Sequence, residues 1–316
     1  MAVLQIVGNQ SGAGKTSLAS ALLVIASNSG EKAAYYKPFA DGRTLDLDVE
    51  FMSRLSASLG CPTVPAPANK SDSDNLALVQ SAISKLETEA SIVIVEGPDS
   101  QGPYAINSKV ALIYRGPQEA LLESITTAGP NLSAVIINSV PIHRRDEVAR
   151  SLALQTQPAV IIPESRSMLA VTVEQLADHL GGQWVLDPVN TTSSVERIMI
   201  GGNIMDEGPT YFNRYPNQAV ITRVERPDIQ MASMCDKTVC IVLTGPGEPT
   251  EYIKSEALKR DIPLIQVRTN THETAEALNG LIDRSDARTN AKAHHFAGLV
   301  EKYSAINYLD HLLISR

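Results

Sequence analysis

The sequence predicts an α/β protein in two parts, a parallel sheet with helices on both faces followed by a second, smaller α/β domain. Two observations carry this expectation. From the amino terminus to about Ile162, short β-rich runs alternate with helical patterns, an alternation that favours parallel strands joined by crossover helices. The first of these runs leads straight into the glycine-rich stretch Gly8–Thr16, which opens an apolar helical pattern. Strand, turn and helix in that order let backbone amides and a helix N-terminus enclose an anion.

The strand candidates of the first part are Val3–Val7, Ala33–Tyr36, Ser91–Val95, Val110–Tyr114, Ala134–Asn138 and Ala159–Ile162. Between them, Thr16–Ser27 places Leu18, Ala21, Leu22 and Ile25 at helical spacing, and Pro117–Thr127 and Asp146–Leu154 show similar patterns. Asp48–Leu59 reads as a helix preceded by Asp46, with acids where the helix dipole favours them. Cys61–Asn75 holds three prolines and a polar run from Asn69, and reads as an exposed loop ahead of a helix over Leu76–Leu86. Thr172 followed by Gln175 reads as a capping box whose helix stops at Gly181-Gly182. The first domain is therefore expected to span residues 1–183, with Trp184 filling the interface to the next. The second, 184–316, is expected to carry strands at Ala219–Thr222, Thr238–Leu243 and Leu264–Val267, and two helices between Ala291 and Leu313 that pack back on the body.

Composition narrows the function. With 27 basic and 35 acidic side chains among 316 residues the chain carries −8, which argues against nucleic acid and anionic membrane as partners. At 43% hydrophobic and 4% aromatic, the chain can build aliphatic cores but has little for base-stacking platforms. The three cysteines, Cys61, Cys235 and Cys240, lack metal-like spacing and fit a reducing compartment. No apolar run approaches the roughly 18 residues that span a bilayer, and no basic stretch precedes a continuous apolar segment at the N-terminus. A cytoplasmic protein is expected.

The chemistry starts in the turn. In Gly8-Asn9-Gln10-Ser11-Gly12-Ala13-Gly14-Lys15-Thr16-Ser17, Gly12 and Gly14 permit backbone conformations that side chains disfavour. The amides from Asn9 to Ser17 would cradle phosphates, Lys15 would reach the β- and γ-phosphates, and the Thr16 hydroxyl would bind Mg²⁺. Five residues, not the common four, separate Gly8 from Gly14, and Asn9 stands where the first glycine usually falls.

Ligands of open parallel sheets bind beyond the carboxyl ends of the strands, and further candidates lie at those ends. Lys37-Pro38 closes the second strand, where a lysine could serve a phosphate or a substrate. Asp48 opens the next helix, and Glu96-Gly97 follows the apolar run Ile92–Val95; an acid so placed commonly reaches Mg²⁺ or its water shell. Asn138 closes a strand with an amide able to pair with adenine, and Glu164 follows the next strand as a second base-side candidate. Either could also be ordinary turn chemistry. Arg226 and Asp228 read as an anion site at a helix start or a surface ion pair, and His294-His295 as structural.

Taken together, Gly8-x5-Gly14-Lys15-Thr16, Lys37-Pro38, Asp48, Glu96-Gly97 and Asn138 make the first 180 residues resemble dethiobiotin synthetase and its wider P-loop family. The resemblance implies an ATP and Mg²⁺ site in which Lys15 and Lys37 are catalytic, Lys37 handles a carbamate, Thr16, Asp48 and Glu96 hold the metal, and Asn138 contacts adenine. It also implies a homo-oligomer. Partitioning ATPases of the same fold carry an early loop lysine where Gln10 and Ser11 stand here. Gln10–Ala13 and Glu96-Gly97-Pro98-Asp99-Ser100 depart from the segments that shape the synthetase's substrate site.

In the second half, Val220–Ile229 followed by Val242–Gly247 resembles the DRTGG domain, with Glu225 and Pro246 departing from its name-giving residues. A synthetase-like domain followed by a DRTGG domain is the layout of the regulatory region of long phosphate acetyltransferases. The chain is expected to be a stand-alone version of that region, a nucleotide-dependent regulatory or sensing module. The alternative is an ATP-dependent ligase that activates a carboxylate or carbamate, taking a small acid or amine as substrate.

Overall fold

The computed structural model describes residues 2–40, 46–69, 76–99, 101–152, 159–202 and 208–304. Contacts divide the chain into two units, residues 1–165 together with 287–316, and residues 166–286.

The first unit contains β1 (Ala2–Gly8), β2 (Ala33–Tyr36), β3 (Phe39–Ala40), β4 (Ala68–Asn69), β5 (Ile92–Asp99), β6 (Lys109–Tyr114), β7 (Leu132–Val140) and β8 (Ala159–Pro163). Among the described residues, six of these form one sheet in the order β2-β5-β1-β6-β7-β8, with every pairing parallel. The crossovers use α1 (Lys15–Asn28), α2 (Leu47–Ser58), α3 (Leu76–Leu86), α4 (Leu121–Ala128) and α5 (Arg145–Leu152). The sheet is apolar on both faces because helices cover both: Leu4, Ile6, Ile94, Leu112 and Ile136 are all buried. The strand expectations of this part match the structure in place and order. The helix expected at Asp48–Leu59 is also present, with Asp46 as its N-cap: its Oδ1 accepts from the amides of Asp48 (3.0 Å) and Val49 (3.2 Å).

The second unit contains β9 (Val171–Thr172), β10 (Gln183–Trp184), β11 (Ser194–Val195), β12 (Arg197–Gly201), β13 (Gln218–Arg223), β14 (Thr238–Thr244) and β15 (Leu264–Val267). Its helices are α6 (Arg166–Leu169), α7 (Val173–Leu180), α8 (Gly208–Phe212), α9 (Pro227–Ser233), α10 (Glu251–Lys259) and α11 (Thr271–Ala277). The main sheet runs β10-β15-β14-β13-β12, parallel except for the antiparallel edge pair β10–β15. This is the smaller α/β domain that the sequence predicts, with β12 and β10 added at its edges.

Three expectations change. The helix opened by the Thr172 capping box packs within the second unit, where Val173, Leu176 and Ala177 join a core with Ile221, Val242 and Ile265. The observed division thus falls at 165/166 rather than after 183. Trp184 lies on β10 and packs against that same core, so it is part of the second unit's own edge. The C-terminal segment returns to the first unit as α12 (Asn290–Tyr303). Its physical reason is α1, in which every residue from Leu18 to Ala26 is buried. A helix apolar all round needs cover on its outer face, and α12, in which Ala293, Phe296, Ala297 and Val300 are buried, packs against it.

The expected second tail helix, part of the polar run at 70–75, the end of the helix read at Asp146–Leu154, and Ser100 lie outside the described residues. No helix among the described residues is long and apolar enough to cross a membrane. All three cysteines are free.

Candidate functional site

The glycine-rich turn leaves β1 and closes on α1. Gly12 (φ 72°) and Gly14 (φ 112°) take left-handed backbone conformations, the Ala13 amide donates to the Gln10 carbonyl at 3.3 Å, and the Leu18 amide donates to Gly14 at 2.9 Å. No side chain caps the start of α1 and no acid lies in its first turn, so the first amides and the helix dipole suit an anion. Gln10, Ser11 and Gly12 are exposed, Ala13 is buried, and Lys15, Thr16 and Ser17 are half-buried. Asn9 fastens the base of the turn to β6's end. Its amide donates to the Arg115 carbonyl at 3.0 Å, and its Oδ1 accepts the Arg115 amide at 2.9 Å. The Arg115 guanidinium donates to the Gly12 carbonyl at 3.3 Å.

The neighbouring strand ends bring acids to this turn. Glu96 lies opposite Ile6 in the β1–β5 ladder. Its two oxygens each lie 3.2 Å from the Thr16 hydroxyl, and Tyr35 donates to Oε2 at 2.6 Å. Gly97 lets β5 lie close against β1 here, since a Cβ there would lie 2.9 Å from the Ile6 carbonyl oxygen. Two residues on, Asp99 pairs with Lys15. Lys37, past the end of β2, pairs with Asp46 and Asp48 at 2.8 Å each, and Arg288 reaches the other oxygen of Asp48 at 3.3 Å.

These contacts set the protonation chemistry. Burial pushes the Glu96 carboxyl above its usual range, against the opposing pull of Lys37, the Tyr35 hydrogen bond and Lys15. For Lys37, burial favours the neutral amine, but Glu96, Asp46 and Asp48 together outweigh it and hold the ammonium charged to well above its ordinary value. Burial also raises Asp46, and the Lys37 and Val49 hydrogen bonds more than reverse that, so its carboxyl is held low. Burial and the Glu96 charge raise Tyr35 and push Tyr104 to about 12.

Of the residues expected from sequence, Lys15, Thr16, Lys37, Asp48 and Glu96 gather around the ends of β1, β2 and β5. Asn138 reaches the loop from β7, where its amide donates to the Ala13 carbonyl at 2.9 Å. Glu164 follows β8, three strands from β1; it is exposed, and its backbone amide donates to Val140 at 2.9 Å. Arg226 and Asp228 form a bidentate pair at 2.9 and 2.7 Å in a region open to solvent, which is the surface ion pair. Four site residues escaped the sequence reading. Asp99 closes β5 and Arg115 follows β6, and both could have been found at those strand ends; Tyr35 hides in an apolar strand, and Arg288 is 240 residues from its partner.

Among the described residues, no cluster of three or more His, Cys, Asp and Glu side chains is placed to cage a metal. The donors present are instead a hydroxyl, Thr16, against a carboxylate, Glu96. Hard oxygen donors in small number fit Mg²⁺, which keeps its waters and takes its other ligands from phosphates.

Fold and site together define a P-loop α/β domain followed by a second α/β domain. Residues 2–114 match the family model of an AAA domain, and residues 175–281 match that of the DRTGG domain. The chain therefore carries these two domains in the order that its sequence implied. Phosphate acetyltransferase of Nitratidesulfovibrio vulgaris is 21% identical over 373 aligned residues, covering 99% of this chain and 52% of its own length. The chain thus spans about half of that relative. Partial structural likeness extends to the signal recognition particle receptor FtsY of Elizabethkingia anophelis (20% identity, TM-score 0.37, 52% of this chain and 59% of that one). MinD of Aquifex aeolicus is 15% identical, with TM-score 0.36, over 54% of this chain and 84% of its own. The CBS and DRTGG domains of the regulatory region of Clostridium perfringens pyrophosphatase, in complex with diadenosine tetraphosphate, are 13% identical, with TM-score 0.31, over 48% and 73%.

Proposed function

We propose that the protein is a regulatory module that binds Mg²⁺ and a nucleotide, ATP in the first instance, related to the amino-terminal region of phosphate acetyltransferases. The observation that carries it is the pairing of Thr16 with the buried Glu96 at the root of an uncapped, lysine-closed turn. In this reading the amides of residues 9–17 hold the phosphates and Lys15 exchanges Asp99 for the terminal phosphates. Thr16 and Glu96 hold the Mg²⁺ directly or through water, with Asp48 beside them. The ion supplies charge neutralisation to the phosphates. Asn138 and Glu164 stand on the side of the sheet assigned to the base.

A regulatory role is favoured over a ligase because Lys37 is already engaged by Asp46 and Asp48. A lysine held by two carboxylates is poorly placed to receive a carbamate. Calorimetry with Mg·ATP, followed by limited proteolysis with and without it, tests the reading. The expected result is saturable binding that alters the cleavage pattern beyond residue 166; absence of heat at millimolar ATP would sink it.

The ligase reading keeps one specific support, the position of Lys37 among the strand ends that face the turn. It requires ADP release that depends on a particular small acid or amine and vanishes in Lys37→Ala while ATP binding survives. ADP release that ignores every such compound removes it.

A further inference from the structure

Glu96 is buried, yet the two lysines nearest to it are paired with other acids, Lys15 with Asp99 and Lys37 with Asp46 and Asp48. Among the described residues, the carboxylate's own hydrogen-bond partners are two hydroxyls, those of Thr16 and Tyr35. Neutral donors satisfy the oxygens but leave the charge without a direct counter-ion, which suits an incoming cation.

The two hydroxyls hold the carboxylate differently. Tyr35 and Ile94 are partners in the β2–β5 ladder, and Glu96 lies two residues beyond Ile94, on the same face of β5. From β2 the Tyr35 hydroxyl donates to Oε2 at 2.6 Å, whereas Thr16, from α1, lies 3.2 Å from both oxygens. The Tyr35 side chain is fully buried, so close packing keeps its ring from swinging away. Oε2 is thus committed to a rigid donor, and Oε1 faces only the Thr16 hydroxyl.

We propose that Tyr35 is a positioning residue that makes Glu96 a one-oxygen partner for the divalent ion, and that it thereby sets a preference for Mg²⁺ over Ca²⁺. The proposal rests on the Mg²⁺–nucleotide reading above. Mg²⁺ is small, keeps several of its waters and draws on few carboxylate oxygens, whereas Ca²⁺ gathers about six to eight oxygens and readily takes both from one carboxylate. A hydroxyl fixed on Oε2 withholds the second oxygen that Ca²⁺ would use. It also fixes the plane of the carboxylate, so that Oε1 meets Mg²⁺ or one of its waters without reorganising.

Calorimetry on the full chain tests this by comparing Mg·ATP with Ca·ATP, each ion present in enough excess to saturate the nucleotide. The wild type should bind Mg·ATP about tenfold more tightly than Ca·ATP, the scale of one hydrogen bond to a charged group. This comparison needs no variant. Tyr35→Phe keeps the ring and removes only the hydroxyl, and it should bring the two affinities to within about twofold of each other. A purely structural loss would weaken both complexes alike and leave their ratio untouched. Tyr36→Phe serves as the control, since Tyr36 packs with Val79, Ile83 and Leu86 in a separate core; it should keep the wild-type ratio. Equal affinities in the wild type, an unchanged ratio in Tyr35→Phe, or the same fall in Tyr36→Phe overturns the proposal and leaves the nucleotide reading standing. A wild type that binds neither complex overturns both.

Discussion

The side-chain amide of Asn138 donates to the carbonyl of Ala13 at 2.9 Å, so the glycine-rich turn is held in part by β7, a strand two places away from β1 in the sheet. An Asn138→Asp change removes the donor and turns a carboxylate toward that carbonyl. The expected cost is about 1–3 kcal/mol in urea unfolding, with weaker Mg·ATP binding by calorimetry. Equal stability of the two proteins would show that the turn does not need this contact.

Gly14 is the point where the same contact constrains backbone chemistry. At φ 112° a side chain is strained, and a Cβ would lie 2.6 Å from the Asn138 amide nitrogen. Gly14→Ala should lose about 1–3 kcal/mol of stability and most nucleotide affinity. In Gly14→Ala/Asn138→Ala the clash is relieved but the backbone strain persists, so recovery should be partial.

The two lysines should differ in what they do for the protein without ligand. Lys37 compensates Asp46 and Asp48, and Glu96 contributes to holding it charged, so Lys37→Met strips the half-buried Asp46 of its cation and leaves Asp48 with Arg288 alone, at a cost of about 1–3 kcal/mol. Lys15 faces Asp99, whose side chain is 38% exposed, and Lys15→Met should cost about 1 kcal/mol or less while abolishing ATP binding. Chemical denaturation of both variants, beside calorimetry, reads the contrast; a Lys15 variant as unstable as the Lys37 variant contradicts it.

Glu96 should make the protein less stable as pH rises. Its folded pKa is raised, chiefly by burial, above the ordinary 4.5, so the folded protein binds the proton more tightly than the unfolded chain. That contribution is full below about 4.5 and is lost as pH rises through the folded value. Asp46, held low by Lys37 and the helix amides, acts oppositely, and its contribution is lost as pH falls through its depressed folded pKa. Glu96→Gln should therefore raise the melting temperature at pH 8 by about 3 °C, with little gain at pH 4. A variant that melts lower at pH 8 would contradict the cost assigned to the buried charge.

In the second unit, Gly182 follows α7 where a Cβ would lie 2.3 Å from the Ile265 side chain. Ile265 is fully buried on a strand that β14 and β10 flank, so it has little room to yield. Gly182→Ala should destabilise residues 166–286 by about 1–3 kcal/mol, seen as faster hydrogen exchange there, while ATP affinity stays unchanged.

Most of the first sheet was legible in the sequence because each strand is a buried apolar run bounded by turn residues, and both faces of the sheet are covered. The turn from Gly8 to Thr16 was legible for a different reason: its glycines, lysine and threonine are adjacent in the chain, so their spacing is their geometry. Lys37, Asp48 and Glu96 were legible as strand-end and helix-start residues. β12 was not, since an edge strand exposes much of its surface and Arg197–Gly201 lacks a continuous buried pattern. Trp184 was placed between domains because a lone large aromatic carries no mark of the core it joins.

By itself the sequence determined which segments become strands and helices in the first unit, where the glycine-rich turn lies, and that a second α/β domain follows. Those properties come from local backbone chemistry and from the period of apolar residues. Only the tertiary structure decided that α12 returns to cover α1, that the division falls at 165/166, that Asp99 pairs with Lys15, and that Arg288 completes the acid cluster at Asp48. Each of these joins residues far apart in the chain, and the energy that selects them, burial of a helix face or neutralisation of a charge, exists only once the partners have met.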